Sequence, residues 1–239
     1  MKKITILLAA LGAAAGLHAQ DPKSSYSVTT DFAYTSKYVF RGVEAAGSSF
    51  QPSVEVTMQD FYLGLWTSQP ITKHQDNEID VYGGYKYKVN ENLSLEAVGT
   101  YYWYPEAKGF STRKSYEGGL GATYTVHGIS ATVNYYHDFK LKSNTVQGSL
   151  GYSLPIESIG ASLDLTGFYG TVSARDWAPD GPAVIRESYD YYGLDASIPY
   201  KLSEKATFTL GGHWTHNRGY FADSGDSNVW WTAGVTVGF

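Results

Sequence analysis

The segment Val229-Trp230-Trp231-Thr232-Ala233-Gly234-Val235-Thr236-Val237-Gly238-Phe239 decides the fold of this chain. Alternate positions from Val229 to Phe239 are apolar, and most positions between them carry small or polar side chains. This period-two pattern predicts a β-strand with one apolar face and one polar face. If the rest of the chain repeats the pattern, the protein belongs to the all-β class.

The same alternation recurs from residue 26 to the last residue. It predicts about twelve strands of about ten residues, the length that a tilted membrane-crossing strand requires. The predicted strands cover residues 26–40, 51–58, 61–68, 78–87, 93–103, 116–126, 129–139, 146–154, 161–172, 189–200, 206–216 and 229–239. The sequence therefore predicts an all-β fold, a transmembrane antiparallel up-and-down β-barrel.

The lengths of the connections support this prediction, because short turns alternate with longer loops along the whole chain. The short turns lie at residues 59–60, 88–92, 127–128, 155–160 and 201–205, and the longest loop covers residues 173–186. Outer-membrane barrels show this asymmetry, with short periplasmic turns and longer external loops. We therefore expect both termini of the barrel on the periplasmic side.

The amino terminus has the pattern of an export signal. Lys2 and Lys3 precede an apolar segment over residues 4–17, and Ala19 supplies a small residue for cleavage before Gln20. A spanning helix is the alternative, but the apolar run is shorter than the ~20 residues that a bilayer requires. We expect a signal peptide over residues 1–19 and one outer-membrane barrel domain over residues 20–239.

The composition excludes several classes of function. The chain has 239 residues and no cysteine, which rules out disulfides, thiolate metal sites and cysteine nucleophiles. Its formal net charge of -5 argues against a nucleic-acid partner, for which a basic stripe is expected. The slightly negative mean hydropathy is normal for a barrel, in which only alternate residues face lipid. The expected partners are outer-membrane lipid and small hydrophilic solutes.

Several motifs in the first half of the chain carry a family resemblance. They are Thr35-Ser36-Lys37-Tyr38-Val39-Phe40-Arg41-Gly42-Val43, Pro52, Phe61-Tyr62-Leu63-Gly64-Leu65-Trp66-Thr67-Ser68 and Glu78-Ile79-Asp80-Val81-Tyr82-Gly83-Gly84-Tyr85. With these motifs the chain resembles the TorF-like porin family of Gram-negative bacteria, first described as a conserved family of unknown function. The match departs from that family at Glu44-Ala45-Ala46 and becomes thin after Tyr104. The resemblance implies a porin and no particular substrate.

The terminal residue carries a second resemblance. The last predicted strand ends on Phe239 and resembles the closing strand of outer-membrane barrels, whose terminal aromatic residue is read by the barrel assembly machinery. The resemblance implies that Phe239 is an assembly signal. It also implies that this machinery is a partner of the chain during biogenesis.

Charged residues fall on the polar, inward face of the predicted strands. The predicted pore-lining residues are Asp31, Lys37, Arg41, Glu55, Glu78, Asp80, Lys86, Glu96, Glu117, Asp138, Asp164 and Asp195. Carboxylates outnumber basic groups in this set, which predicts weak cation selectivity. Arg41, at the outer end of the first predicted strand, is expected to bind a carboxylate at the mouth of the pore.

These predictions favour a narrow outer-membrane channel for passive diffusion of small hydrophilic solutes or ions. A structural or surface-interaction barrel with a plugged lumen is the alternative. A barrel enzyme has less support, because a strand places His213 and His216 on opposite faces and no nucleophile motif lies beside either residue. Glu78 and Asp80 could act as paired carboxylates, although a wet lumen explains them more simply. No cofactor and no metal site is predicted, since residues 223–226 lack the spacing of a calcium loop.

Overall fold

The strands account for most of the residues that the structure, a computed structural model, describes: 26–72, 75–107, 113–177, 184–219 and 226–239. In chain order these strands are β1 (Ser27–Thr35), β2 (Tyr38–Phe40), β3 (Val43–Ala46), β4 (Ser49–Met58), β5 (Phe61–Pro70), β6 (Glu78–Lys88), β7 (Leu93–Trp103), β8 (Lys114–Val126), β9 (Ile129–Asp138), β10 (Ser143–Ile156), β11 (Ala161–Trp177), β12 (Val184–Lys201), β13 (Ala206–Arg218) and β14 (Asp226–Gly238). One 3₁₀ turn, Glu157–Ile159, separates β10 from β11. The signal peptide predicted over residues 1–19 lies outside the described residues.

Strand β1 and strands β4 to β14 form a closed antiparallel barrel of twelve strands. Strand β1 closes the ring by pairing with β14, where Phe32 lies opposite Val235, and with β4, where Phe32 lies opposite Pro52. Closure pairs the edge of every strand, which leaves no row of unpaired backbone groups. The predicted all-β, antiparallel, twelve-stranded barrel is confirmed. Among the described residues, no helix is long and apolar enough to cross a membrane.

The two faces of the barrel wall follow the alternation in the sequence. Along β5, Phe61, Leu63 and Leu65 are exposed on the outer face, while Tyr62 and Trp66 are buried on the inner face. An apolar outer band with a polar inner face is the arrangement that lipid on one side and water on the other require. Outward and inward side chains thus alternate along the strand, as the sequence pattern predicts.

The barrel has a turn side and a loop side. The turn side carries the short connections 59–60, 89–92, 127–128, 157–160 and 202–205. One of the two-residue turns joins Val126 to Ile129 through His127 and Gly128, whose φ angles of 49° and 79° define a type I′ turn. The connection between β11 and β12 is shorter than the sequence predicts, because the two strands stay paired as far as Trp177 and Val184. The predicted loop over 173–186 is therefore reduced to residues 178–183, which lie outside the described residues.

The first predicted strand, over residues 26–40, is wrong at its outer end. Strand β1 stops at Thr35, and Tyr38–Phe40 pairs instead with Val43–Ala46 in a separate two-stranded sheet. Arg41 and Gly42, with φ angles of 50° and 80°, form the type I′ turn between the two arms. Much of the segment between the first two predicted strands is therefore the tip and return arm of a hairpin. We refer to residues 38–46 as the inner hairpin.

Aromatic rings on the inner face lie flat over glycines of the neighbouring strand. A Cβ atom added to one of these glycines would overlap the ring opposite it. The pairs are Gly64 with Tyr82, Gly84 with Tyr62, Gly119 with Tyr136, Gly170 with Tyr191, and Gly193 with Phe168, and all five are direct cross-strand partners. Glycine at these positions lets a large ring lie along the wall instead of projecting into the lumen.

Candidate functional site

The inner hairpin lies inside the barrel, in its loop-side half. Tyr38 and Val39 are 5% and 4% exposed, and the ring of Tyr38 packs against that of Trp66 on β5 with centroids 5.5 Å apart. On the opposite wall, the Asn217 side-chain amide donates a 2.8 Å hydrogen bond to the carbonyl oxygen of Gly42. The hairpin therefore spans the lumen and contacts both sides of the barrel.

Arg41 anchors the tip of the inner hairpin to the barrel wall. Its guanidinium nitrogen lies 2.5 Å from a carboxylate oxygen of Glu117 on β8, and the two side chains are 6% and 5% exposed. The other Glu117 oxygen accepts a 3.2 Å hydrogen bond from the Tyr102 hydroxyl. The guanidinium carbon also lies 5.3 Å from the ring centre of Tyr136. Such a charge-assisted pair, shielded from water, is strong and directional.

The backbone of the hairpin tip depends on Gly42. Its φ of 80° lies in the left-handed region, and a Cβ atom there would lie 2.6 Å from the Cβ atom of Tyr191. Glycine is the residue that accepts both constraints without cost. The dipeptide Arg41-Gly42 therefore has two roles: it forms the turn, and it places the guanidinium at the barrel wall.

Three further carboxylates surround the hairpin in the loop-side half. Glu78, Asp80 and Asp138 are 4%, 1% and 5% exposed. Tyr104, which follows the end of β7, donates a 3.0 Å hydrogen bond to Glu78. Burial, and then the negative charge of Glu78, raise the pKa of Tyr104 well above its ordinary value, so the phenol keeps its proton and remains a donor. Ser115 donates to Asp138 at 2.5 Å.

A cavity of about 710 Å³ occupies the lumen on the turn side of the inner hairpin. Arg41 and Gly42 form its inner end, and the wall extends from there to the turn residues around Asn92. On this wall the Lys86 ammonium nitrogen lies 3.8 Å from a carboxylate oxygen of Glu96. The lumen therefore has a filled loop-side half and a hollow turn-side half. We call the hollow half the turn-side cavity.

The structure divides the predicted pore-lining residues into three groups. Arg41, Lys86, Glu96, Asp164 and Asp195 line the turn-side cavity. Glu78, Asp80, Glu117 and Asp138 are buried around the inner hairpin, and Asp31, Glu55 and Lys37 lie near the seam between β1 and its neighbours.

The seam residues are bound locally. Asp31 accepts a 2.7 Å hydrogen bond from Thr236 on β14. Lys37 lies in the bend after β1, where its ammonium group is 2.8 Å from Glu44 and 3.2 Å from the Asn228 side-chain oxygen. Arg41 does meet a carboxylate, but it does so from the tip of a hairpin inside the lumen rather than from the end of a wall strand.

The two histidines lie on opposite faces of β13. His213 lines the turn-side cavity, lies between Asp195 at 2.6 Å and Thr232 at 3.0 Å, and stacks on the ring of Trp230. His216 instead packs against Tyr192, which is exposed on the outer face. Within the described ranges, no group of three or more His, Asp or Glu side chains is placed to hold a metal ion.

Sequence reasoning missed the inner hairpin and much of the cavity wall, including Trp230 and Asn134. Trp230 and Asn134 both line the cavity and are 7% and 3% exposed. A signal for the hairpin was present, because an X-Gly pair between two short alternating segments is typical of a two-residue type I′ turn. Nothing in the local sequence distinguishes Asn134 from other polar residues on an inner face.

This architecture defines the fold class, an outer-membrane-type β-barrel, in which a closed ring of antiparallel strands is apolar outside and polar inside. The KdgM porin superposes with a TM-score of 0.55 at 14% identity, over 88% of this chain and 99% of that chain. The NanC porin gives 0.52 at 11% identity, over 88% and 98%. The COG4313 outer-membrane channel from Pseudomonas putida F1 gives 0.56 at 11% identity, over 92% and 100%. At these identities the similarity concerns the fold.

The sequence places the chain in one family within this class. It belongs to Gcw_chp, a family described as bacterial proteins of unknown function, whose model matches residues 19–238. No curated protein matches the chain. This match shows a family of unknown function, and it does not confirm the TorF-like name.

Proposed function

We propose that the protein is an outer-membrane channel through which small hydrophilic solutes or ions diffuse passively, and that the inner hairpin forms its narrowest section. The observation that carries the proposal is the turn-side cavity of about 710 Å³, which has a polar wall and ends at Arg41 and Gly42. Twelve strands enclose a lumen between the filled interior of small barrels and the wide channel of large porins. A hairpin across such a lumen leaves room for small solutes alone.

The mechanism follows from the side chains of the inner wall. Polar groups keep water in the cavity, and the hairpin excludes large solutes from the loop-side half. Carboxylates outnumber basic groups on the cavity wall, and a low-dielectric wall focuses their field along the lumen. The carboxylates are those of Asp60, Glu91, Glu96, Asp164 and Asp195, and the basic groups are those of Arg41, Lys86 and Lys88. Weak cation selectivity is therefore part of the proposal, since carboxylates that line a pore favour cations.

Planar-bilayer recording tests the channel and the role of the hairpin together. Thr35 and Ser49 are cross-strand partners, so a short Gly-Asn turn can replace residues 36–48 without altering the barrel wall. We expect small single-channel currents from the full chain and several-fold larger currents from the shortened chain. As a matched control, the same short turn replaces residues 139–142 between the cross-strand partners Asp138 and Ser143, and the current should stay near that of the full chain. Equal currents from the full chain and the hairpin deletion would contradict the constriction.

Reversal potentials test the ion preference separately. Replacing Glu96 by glutamine and Asp164 by asparagine should move the reversal potential toward neutrality, and added salt should weaken the preference of the unmodified protein. Glu157→Gln, in the exposed turn after β10, is the control. Anion selectivity in the unmodified protein would contradict the proposed role of the cavity carboxylates.

A sealed barrel with a structural or surface-interaction role is the second candidate. The observation that favours it is the buried Arg41–Glu117 pair, which fixes the inner hairpin across the lumen. A full chain that conducts nothing while the hairpin deletion conducts well would favour this candidate. Under either candidate we propose that the protein is not an enzyme. A hydrolase activity that disappears when His213 is replaced would contradict this proposal.

The same proposal covers location and partners. An exposed apolar outer face, with residues such as Leu63 and Leu194 more than half exposed, suits outer-membrane lipid. Phe239, 69% exposed after the last strand, is the proposed signal for the barrel assembly machinery. Periplasmic termini and a cleaved signal peptide over residues 1–19 complete the proposed route to the membrane.

A further inference from the structure

Three polar side chains from neighbouring strands contact one another on the wall of the turn-side cavity. His213 on β13 lies between Asp195 on β12, which is 2.6 Å from Nδ1, and Thr232 on β14, which is 3.0 Å from Nε2. All three residues line the cavity, and the side chains of His213 and Asp195 are each 15% exposed. Protons in the lumen can therefore reach this group, which we call the histidine cluster.

The hydrogen bonds of the histidine cluster suit either charge state of the imidazole. An ionised carboxylate only accepts, so Asp195 holds a proton on Nδ1 whether the ring is neutral or charged. A hydroxyl both donates and accepts, so Thr232 can donate to a neutral Nε2 and accept from a protonated one. Uptake of a proton therefore changes the charge of the cluster without breaking a hydrogen bond.

Neighbouring residues fix the imidazole ring in this position. The ring stacks on that of Trp230, with centroids 5.0 Å apart and planes 15° from parallel. Gly211 lies opposite Thr232, and a Cβ atom there would be 2.5 Å from the threonine hydroxyl oxygen and 2.8 Å from Nε2 of His213. The glycine therefore leaves the space in which the ring and the hydroxyl meet.

Asp195 is the one charged group that contacts His213 among the residues that the structure describes. Titratable groups on the neighbouring elements have other partners, and they are Asp31, Lys37, Arg41, Asp164, Tyr191 and Lys201. His216 and Arg218 on β13 belong to the outer face. The remaining charged groups of the cavity lie on β6, β7 and the turns at 59–60 and 89–92, away from β13 in the strand order. A proton on His213 is therefore balanced locally by Asp195.

We propose that His213 makes the ion preference of the channel depend on pH. With a neutral imidazole the histidine cluster carries the negative charge of Asp195, and with a protonated imidazole it carries no net charge. Imidazole side chains change charge between about pH 5 and 8, so the negative excess of the cavity wall falls by one charge over that range. Because carboxylates that line a pore favour cations, the cation preference weakens as the pH falls. This inference rests on the proposed function, since it requires ions to pass through the cavity.

Reversal potentials of the refolded full-length barrel in planar bilayers, measured at pH 8 and at pH 6, test the inference. At low salt the ratio of cation to anion permeability should fall roughly 2- to 5-fold, the effect of one unit charge several ångströms from an ion in water. His213→Gln keeps a polar side chain that cannot take up a proton, so its ratio should differ little between the two pH values. His216→Gln removes the histidine on the outer face of the same strand and is the matched control. Its ratio should respond to pH like that of the unmodified protein.

The outcomes separate this inference from the proposed function. Currents with the same ion preference at both pH values in the unmodified protein would overturn the role of His213 and leave the channel intact. A response that persists in His213→Gln, or that disappears in His216→Gln, would also overturn it, because another group would then be the one that titrates. A barrel that conducts at neither pH would contradict the channel and this inference together. His213→Asn provides the same comparison if the glutamine variant does not refold.

Discussion

Replacing Arg41 by alanine should release the inner hairpin from the barrel wall. The substitution removes the guanidinium that lies 2.5 Å from Glu117 and leaves a carboxylate that is 5% exposed without its cation. Breaking a buried ion pair from one side costs about 3–5 kcal/mol, because the remaining charge stays buried. Each 1.4 kcal/mol changes an equilibrium constant tenfold, so the ratio of docked to undocked hairpin should fall by roughly two to four orders of magnitude.

Two measurements report this change. Single-channel conductance should rise toward that of the hairpin deletion, and a protease added to the refolded barrel should cut within residues 36–48. Arg218→Ala is the matched control: this arginine is 67% exposed and lies 3.2 Å from Asp190, and exposed pairs are worth about 0–1 kcal/mol. The double variant Arg41→Met with Glu117→Gln should recover most of the docking, because no charge is left buried. Unchanged conductance and protease resistance in Arg41→Ala would refute the view that this pair holds the hairpin.

Three further predictions concern the turn, the closure and the terminus. Gly42→Ala should displace the hairpin tip and raise the conductance, because the φ angle of Gly42 is 80° and the new Cβ atom would lie 2.6 Å from the Cβ atom of Tyr191. Gly99→Ala is the control: a Cβ atom there has open space, so the hairpin position and the conductance should not change. Refolded protein should show β-rich circular dichroism and migrate differently on a gel before and after boiling; a detergent-independent soluble monomer would contradict the barrel. Deleting Phe239 should reduce insertion into the outer membrane of cells while refolding into micelles survives; equal insertion would contradict the assembly signal.

The wall of the barrel could be predicted from the sequence because a single physical rule governs it. Lipid on one side and water on the other require alternation at every strand, and closure makes each strand repeat it. Only the ends of the strands escaped prediction. Backbone pairing of β11 with β12 continues to Trp177 and Val184 although the sequence there includes turn-forming and charged residues, because a ladder needs backbone groups rather than a particular pattern.

The position of the inner hairpin inside the lumen could not be predicted from the sequence, because the same turn signal would suit a hairpin that extends the wall. Tyr38 and Phe40 continue the apolar face of β1 in sequence, yet they face the interior of the barrel in space. The departure is decided by long-range contacts, such as the hydrogen bond from Asn217 to Gly42, that no local pattern encodes. The sequence pattern predicted that the carboxylates face inward. Which of them lie around the hairpin and which line the turn-side cavity depends on where the hairpin lies.

The rings that lie over cross-strand glycines have a consequence for how sequences of this family can vary. Giving Gly64 a side chain would drive the ring of Tyr82 away from the wall, and shortening Tyr82 alone would leave bare backbone facing the lumen. Neither half can change by itself without altering the bore of the barrel. Each ring and its glycine should therefore be inherited as one unit, and substitutions at the two positions should be correlated among homologues.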